Sequence, residues 1–150
     1  MILAPLDRRA AVGSVNVEKR TCELVFSTGS GVVRFDWLDG KQYLECLSLD
    51  PAHIRLDRLN AGAPLLNAHN NGSLSDMLGV VEPNTVKLTK QEARATVRFS
   101  KRADVEPILQ DVRDGIVRNV SVGYRVHRFE EQAAARQAAS RAGKPLFFSR

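Results

Sequence analysis

Two side chains in this sequence have types and settings that suit nucleophilic catalysis, a histidine at position 69 and a serine at position 121. Ser121 lies in the run Asp114-Gly115-Ile116-Val117-Arg118-Asn119-Val120-Ser121-Val122-Gly123-Tyr124-Arg125-Val126. Apolar residues at 116, 120, 122, 124 and 126 share one parity, the pattern of a strand with one buried face. Ser121 and Gly123 fall on the other face, where a small hydroxyl is within reach of a substrate and the glycine admits a second backbone. By itself the pattern also fits an outward-facing strand serine. His69 ends the apolar run Pro64-Leu65-Leu66-Asn67-Ala68 and precedes a polar, glycine-containing loop. An imidazole titrates near neutrality, and a serine hydroxyl becomes a useful nucleophile when such a base takes its proton.

The elements that must position this pair read as mostly strands. Residues 21–28 are rich in β-formers and end in Gly29-Ser30-Gly31, a turn signal. Residues 32–37 and 41–49 flank Asp39-Gly40, a strong hairpin dipeptide. Asp50 and Pro51 suit the cap and first position of a short helix carrying Ile54, Leu56 and Leu59 and ending before Gly62. Strands are expected at 64–68, 77–83, 85–89 and 93–100. Val105, Ile108, Leu109 and Val112 recur at helical spacing between Asp104, a candidate N-cap, and Gly115, a candidate C-cap. The loop 70–76 reads either as a mobile flap over a groove or as an ordinary surface loop.

In order and spacing these blocks resemble the prohead (capsid-maturation) serine proteases of tailed bacteriophages, a family related in fold to herpesvirus assemblin. The resemblance covers most of the chain. It runs from Arg20-Thr21 and Leu24-Val25-Phe26-Ser27-Thr28 through Tyr43-Leu44-Glu45-Cys46-Leu47 and Asn60-Ala61-Gly62-Ala63-Pro64-Leu65-Leu66-Asn67-Ala68-His69. It continues through Leu78-Gly79-Val80-Val81 and Val97-Arg98-Phe99-Ser100 to Arg113-Asp114-Gly115-Ile116-Val117-Arg118-Asn119-Val120-Ser121-Val122-Gly123-Tyr124. The resemblance implies a mostly β (α+β) fold, a small closed or curled β-barrel with peripheral helices. It also implies a serine endopeptidase that matures a viral capsid, with Ser121 as nucleophile and His69 as base. Many members carry Asp after the histidine; this chain has Asn70. The implied partners are the phage major capsid protein and scaffold, and a further copy of the chain, with the 104–114 helix as candidate interface. The implied location is the assembling prohead in the host cytoplasm. A capsid-assembly or scaffold module that kept the fold without the chemistry is the alternative.

A third group should orient His69. His127 shares parity with Ser121, but six residues of strand span roughly 20 Å, too far to meet a histidine already bonded to Ser121. His53 requires the first helix to fold over the site. Asp36, Glu45, Asp57 and Glu82 are the candidate carboxylates. In the resembling family an acidic residue on a strand beyond position 150 fills this role, so the chain is expected to be shortened or weakened as an enzyme. Backbone N–H groups near Gly123, or Arg125, are candidate oxyanion donors.

Composition limits the other readings. The 150 residues are 43% hydrophobic and 26% charged, ordinary for one globular domain. Residues 1–20 read as a loose leader or an edge strand, 21–128 as the barrel domain and 129–143 as an exposed or disordered Ala/Arg/Gln-rich segment. Residues 144–150 read as the start of a further strand. No apolar run reaches the ~20 residues of a membrane span, and Met1–Pro5 is too short for a signal core. Cys22 and Cys46 sit in alternating apolar runs and are expected as buried free thiols. No Cys/His spacing suggests a metal, and no cofactor is expected. The net charge of +5 comes from scattered residues with few interleaved aromatics, so nucleic-acid binding is not expected.

Overall fold

The structure is a computed structural model that describes residues 11–130 and the strand Leu146–Ser149. Ten strands and two helices follow one another as β1 (Ala11–Asn16), β2 (Thr21–Ser27), β3 (Val32–Asp36), β4 (Lys41–Leu47), α1 (Asp57–Asn60), β5 (Pro64–Leu66), β6 (Met77–Val81), β7 (Lys87–Leu88), β8 (Ala93–Phe99), α2 (Glu106–Arg113), β9 (Phe129–Glu130) and β10 (Leu146–Ser149). They form two sheets. One has the order β1-β2-β8-β6-β5, with β7 also paired to β8; the other has the order β3-β4-β10-β9. The fold is thus mostly β, as expected. The expected closed barrel is not formed among the described residues: strand pairing ends at β1 and β5 in one sheet and at β3 and β9 in the other. Part of the segment read as exposed or disordered, from residue 131 on, lies outside the described residues.

The six-stranded sheet is built on β8. Its burial alternates, with Ala93, Ala95, Val97 and Phe99 inside and Arg94 and Arg98 on the other face. Antiparallel pairing places Cys22 opposite Val97 and Leu24 opposite Ala95. The helix α2 lies on this inner face. Val105, Leu109 and Val112, spaced by four and three residues, join the same buried cluster. This stripe faces inward, with Ile108 half-buried at its side, which speaks against the expectation that the helix offers a subunit interface. Its N-cap is Val105, without a side-chain cap, while Asp104 accepts instead from Arg102 Nε at 3.1 Å. Gly115, with φ +71°, ends the helix as expected.

At the β3–β4 hairpin, Gly40 takes φ +72° and its N–H bonds Asp36 O at 2.9 Å. The side chains of Asp36 and Asp39 accept from Leu38 N and Lys41 N. The helix expected from Asp50 breaks in two. Pro51–His53 forms a single 3₁₀ turn, capped by Asp50 accepting from Ala52 N, and α1 starts only at Asp57. Both cysteines are free and buried. Burial pushes both thiols up from their ordinary range. Among the described residues no helix is long and apolar enough to cross a membrane.

Candidate functional site

His69 and Ser121 are carried by irregular backbone at the ends of ordered elements. β5 is a sheet edge of three residues, and directly after it Asn67–His69 makes one 3₁₀ turn. Ala68 (φ +49°, ψ +37°) and His69 (φ +62°) both lie in the left-handed region. Consecutive non-glycine residues there are strained by about 1–2 kcal/mol each, and such strain concentrates at functional sites. The turn drives the imidazole away from β5 and into the open. Ala68→Gly is expected to leave stability unchanged or to raise it by up to about 1 kcal/mol, because glycine takes this conformation freely. A urea midpoint shifted clearly downward would contradict the left-handed turn.

Ser121 sits on a segment that differs from expectation. Residues 116–126 form no continuous strand; Asn119 makes an isolated bridge and the rest is irregular. Val12 N donates to Arg118 O at 3.2 Å, which attaches the segment to the edge strand β1. Beyond that point β1 is bulged between Val12 and Val15, and a bulged edge does not offer an even ladder to a new neighbour. The expected alternation persists only in part. Val120, Val122 and Val126 are half-buried and Ser121, Gly123 and Arg125 are exposed, but Tyr124, expected on the buried face, is exposed as well. Val120 packs on the main core and holds the segment in place. Ile116, read as part of the buried face, is exposed.

These two pieces meet at Gly123. The His69 ring covers the open side of that glycine: a methyl group placed there would lie 3.5 Å from Nδ1 and 3.8 Å from Cε1. His69 and the serine segment are therefore brought together, the ring lying against the residue two positions along the chain from Ser121. Among the described residues neither the His69 ring nor the Ser121 hydroxyl has a hydrogen-bond partner, so the two are not bonded to each other.

A second contact holds the serine segment from the other sheet. Glu45 of β4 is only 5% exposed and is the buried charge among the described residues. Its Oε1 accepts from the Tyr124 hydroxyl and from Arg34 Nε at 3.3 Å, and Arg34 Nη2 donates to the same hydroxyl at 2.9 Å. The bond to Tyr124 is the largest cause that keeps the Arg34 guanidinium charged above its ordinary value. Burial, then the Glu45 charge, raises the neighbouring phenol of Tyr43. A buried charge persists only where its lone pairs are satisfied in this way. Tyr124→Phe is expected to cost about 1.5 kcal/mol by loss of a charge-assisted bond, read as a lower urea midpoint with an unchanged slope.

The candidate third members are committed elsewhere or lie apart. Glu45 serves Tyr124 and Arg34. Asp36 closes the hairpin, and Glu82 pairs with Arg98. Asp57 opens α1. His53 shares a 2.8 Å hydrogen bond between Nδ1 and Ser48 Oγ. His127 is exposed. No carboxylate among the described residues bonds the His69 ring, and no group of three or more His, Cys, Asp or Glu is placed to hold a metal.

A groove of about 310 Å³ is lined by Pro64 and Leu66 of β5 and by residues 71–74 and Met77; neither His69 nor Ser121 is among its lining residues. The loop read as a flap or surface loop forms its far wall. That loop is tied down at its end: the Arg102 guanidinium donates to the carbonyls of Leu74 (2.8 Å), Ser75 (3.0 Å) and Met77 (2.9 Å). Sequence reasoning missed this clasp and the Glu45–Tyr124–Arg34 group. The one available signal was an acidic residue inside the apolar strand Tyr43-Leu44-Glu45-Cys46-Leu47.

Among known proteins, the chain is similar to the major capsid protein of Halomonas phage phiHAP-1, with 42% identity over 81 residues. The match takes in 54% of this chain and 13% of that protein, so the chain spans only a small part of the relative's length. No family model matches the chain. No solved structure matches it.

Proposed function

We propose that this chain works in the assembly of a bacteriophage capsid, and that within this role it is a serine endopeptidase cutting scaffold and capsid-protein segments. The assembly role rests on the similarity to a phage major capsid protein. The endopeptidase role rests on one observation, the His69 ring lying against Gly123, two residues from the exposed Ser121. The reading places the protein in the assembling prohead of the host cytoplasm, with capsid protein and scaffold as partners.

In this mechanism a substrate strand lies along the groove beside β5. His69 takes the Ser121 proton as Oγ attacks the scissile carbonyl. The imidazolium then gives that proton to the leaving amine, and water resolves the acyl-enzyme. The imidazole must first come into hydrogen-bond reach of Ser121, a tightening that is common when substrate arrives. Exposed N–H groups near Gly123, or Arg125, serve the oxyanion.

A second reading is a capsid-assembly module that keeps this architecture without cleaving. The relative's name supports it more directly than it supports proteolysis. So does the lack, among the described residues, of a carboxylate behind His69. Intact-mass analysis after mixing the chain with its capsid precursor separates the two. Defined fragments from the wild type but not from Ser121→Ala establish the endopeptidase. An uncut precursor that nonetheless associates with the chain supports the module, and equal cutting by both forms removes Ser121 as nucleophile.

A further inference from the structure

An exposed apolar group lies far along the chain from His69 and Ser121, on the β3–β4 hairpin. Trp37 is 88% and Leu38 98% exposed, and Val33 and Phe35 on the outward face of β3 are 47% and 42% exposed. The Phe35 and Trp37 rings pack edge to face with centroids 4.7 Å apart, so the patch is already ordered. β3 is also the end of its sheet and has no strand beyond it among the described residues. A free edge beside exposed aromatics invites another strand.

We propose that this edge docks a second copy of the chain, the two β3 strands pairing antiparallel about a two-fold axis at Phe35. The charge pattern selects both the occupant and the register. A two-fold axis normal to the sheet sets one residue opposite its own copy. Centred on Arg34, the pairing opposes two like charges. Centred on Val33, it leaves Arg34 opposite Val32 of the partner subunit. Centred on Phe35, it sets Arg34 opposite Asp36 of the partner subunit and Asp36 opposite Arg34 of the partner subunit. Phe35 then meets its own copy, and Val33 comes level with Trp37 of the partner subunit. Opposite charges and aromatic pairs directly across a ladder are the favourable cases. The side chains are available for this. Asp36 uses Oδ1 for Leu38 N, which leaves Oδ2, and Arg34 holds Glu45 and Tyr124 through Nε and Nη2, which leaves Nη1. The surface is independent of the proteolytic reading, and it replaces α2, whose apolar face is internal.

Sedimentation velocity on the whole chain tests it. The wild type should associate to a dimer as its concentration rises. Phe35→Lys and Phe35→Glu should each weaken the dimer by about thirtyfold or more, the loss of a central aromatic anchor. An equimolar mixture of the two variants should recover a one-to-one heterodimer, because position 35 faces itself only in this register. Recovery also shows that both variants are folded. A wild type that stays monomeric, a Phe35→Lys chain that dimerises undiminished, or a mixture that fails to associate would each overturn the proposal. A monomer that instead binds capsid precursor through Trp37 would hand the surface to that partner and overturn it equally.

Discussion

His69→Ala should reduce cleavage of the capsid precursor about as much as Ser121→Ala, and the double variant should be no slower than either single one. The reason is that the two side chains form one device. Without the imidazole the hydroxyl keeps its proton; without the hydroxyl the imidazole has nothing to activate. In a well-studied serine protease, loss of either member costs on the order of 10⁶ in turnover and further losses add little. A dyad without an orienting carboxylate begins from a lower rate, so the measured fall should be smaller than that. The single-turnover rate with excess chain over precursor is the appropriate readout, since it separates chemistry from product release. Additive losses in the double variant would mean that the two residues act separately, and the contact at Gly123 would then be only structural.

The largest effect on stability is expected at Gly79. This glycine lies in β6 opposite Phe99 of β8. A methyl group there would come 2.2 Å from Arg98 O and 3.0 Å from Phe99 Cα. Those are backbone atoms in the central strand of the sheet, so no side-chain rotation relieves the clash. Gly79→Ala must therefore pry β6 from β8, which carries the inner residues Val97 and Phe99. Overpacking of this kind costs about 3 kcal/mol or more, a large share of a small domain's stability. Urea unfolding followed by tryptophan fluorescence and circular dichroism should show either a far lower midpoint or no folded baseline. By contrast, Gly123→Ala should be tolerated, because its methyl would only reach ordinary contact distance from the His69 ring. Near-wild-type stability of Gly79→Ala would mean that the β6–β8 register is different.

Most strands of the two sheets and α2 were legible because each depends on local periodicity; β9, at the start of the segment read as exposed or disordered, was not. Alternation at Ala93, Ala95, Val97 and Phe99 marks a buried strand face, and helical spacing of Val105, Leu109 and Val112 marks a buried stripe. Burial works at this range, since a periodic apolar face has only one side to hide. The split of the first helix and the break-up of the 116–126 strand were not legible. The second lies beside the bulged part of β1, and no feature of the segment itself announces it.

The sequence by itself determined the mostly β character, the hairpin at Asp39-Gly40 and the position of α2, whose inward-facing stripe only the structure decided. It also singled out His69 and Ser121 as candidates for chemistry. Only the tertiary structure decided that the His69 ring lies over Gly123, that the strained turn at Ala68 aims it there, and that Glu45 reaches Tyr124 across 79 positions. Periodicity encodes which face of an element is buried. Which faces meet depends on closing long loops and satisfying one buried charge, and that choice is made by the folded chain as a whole.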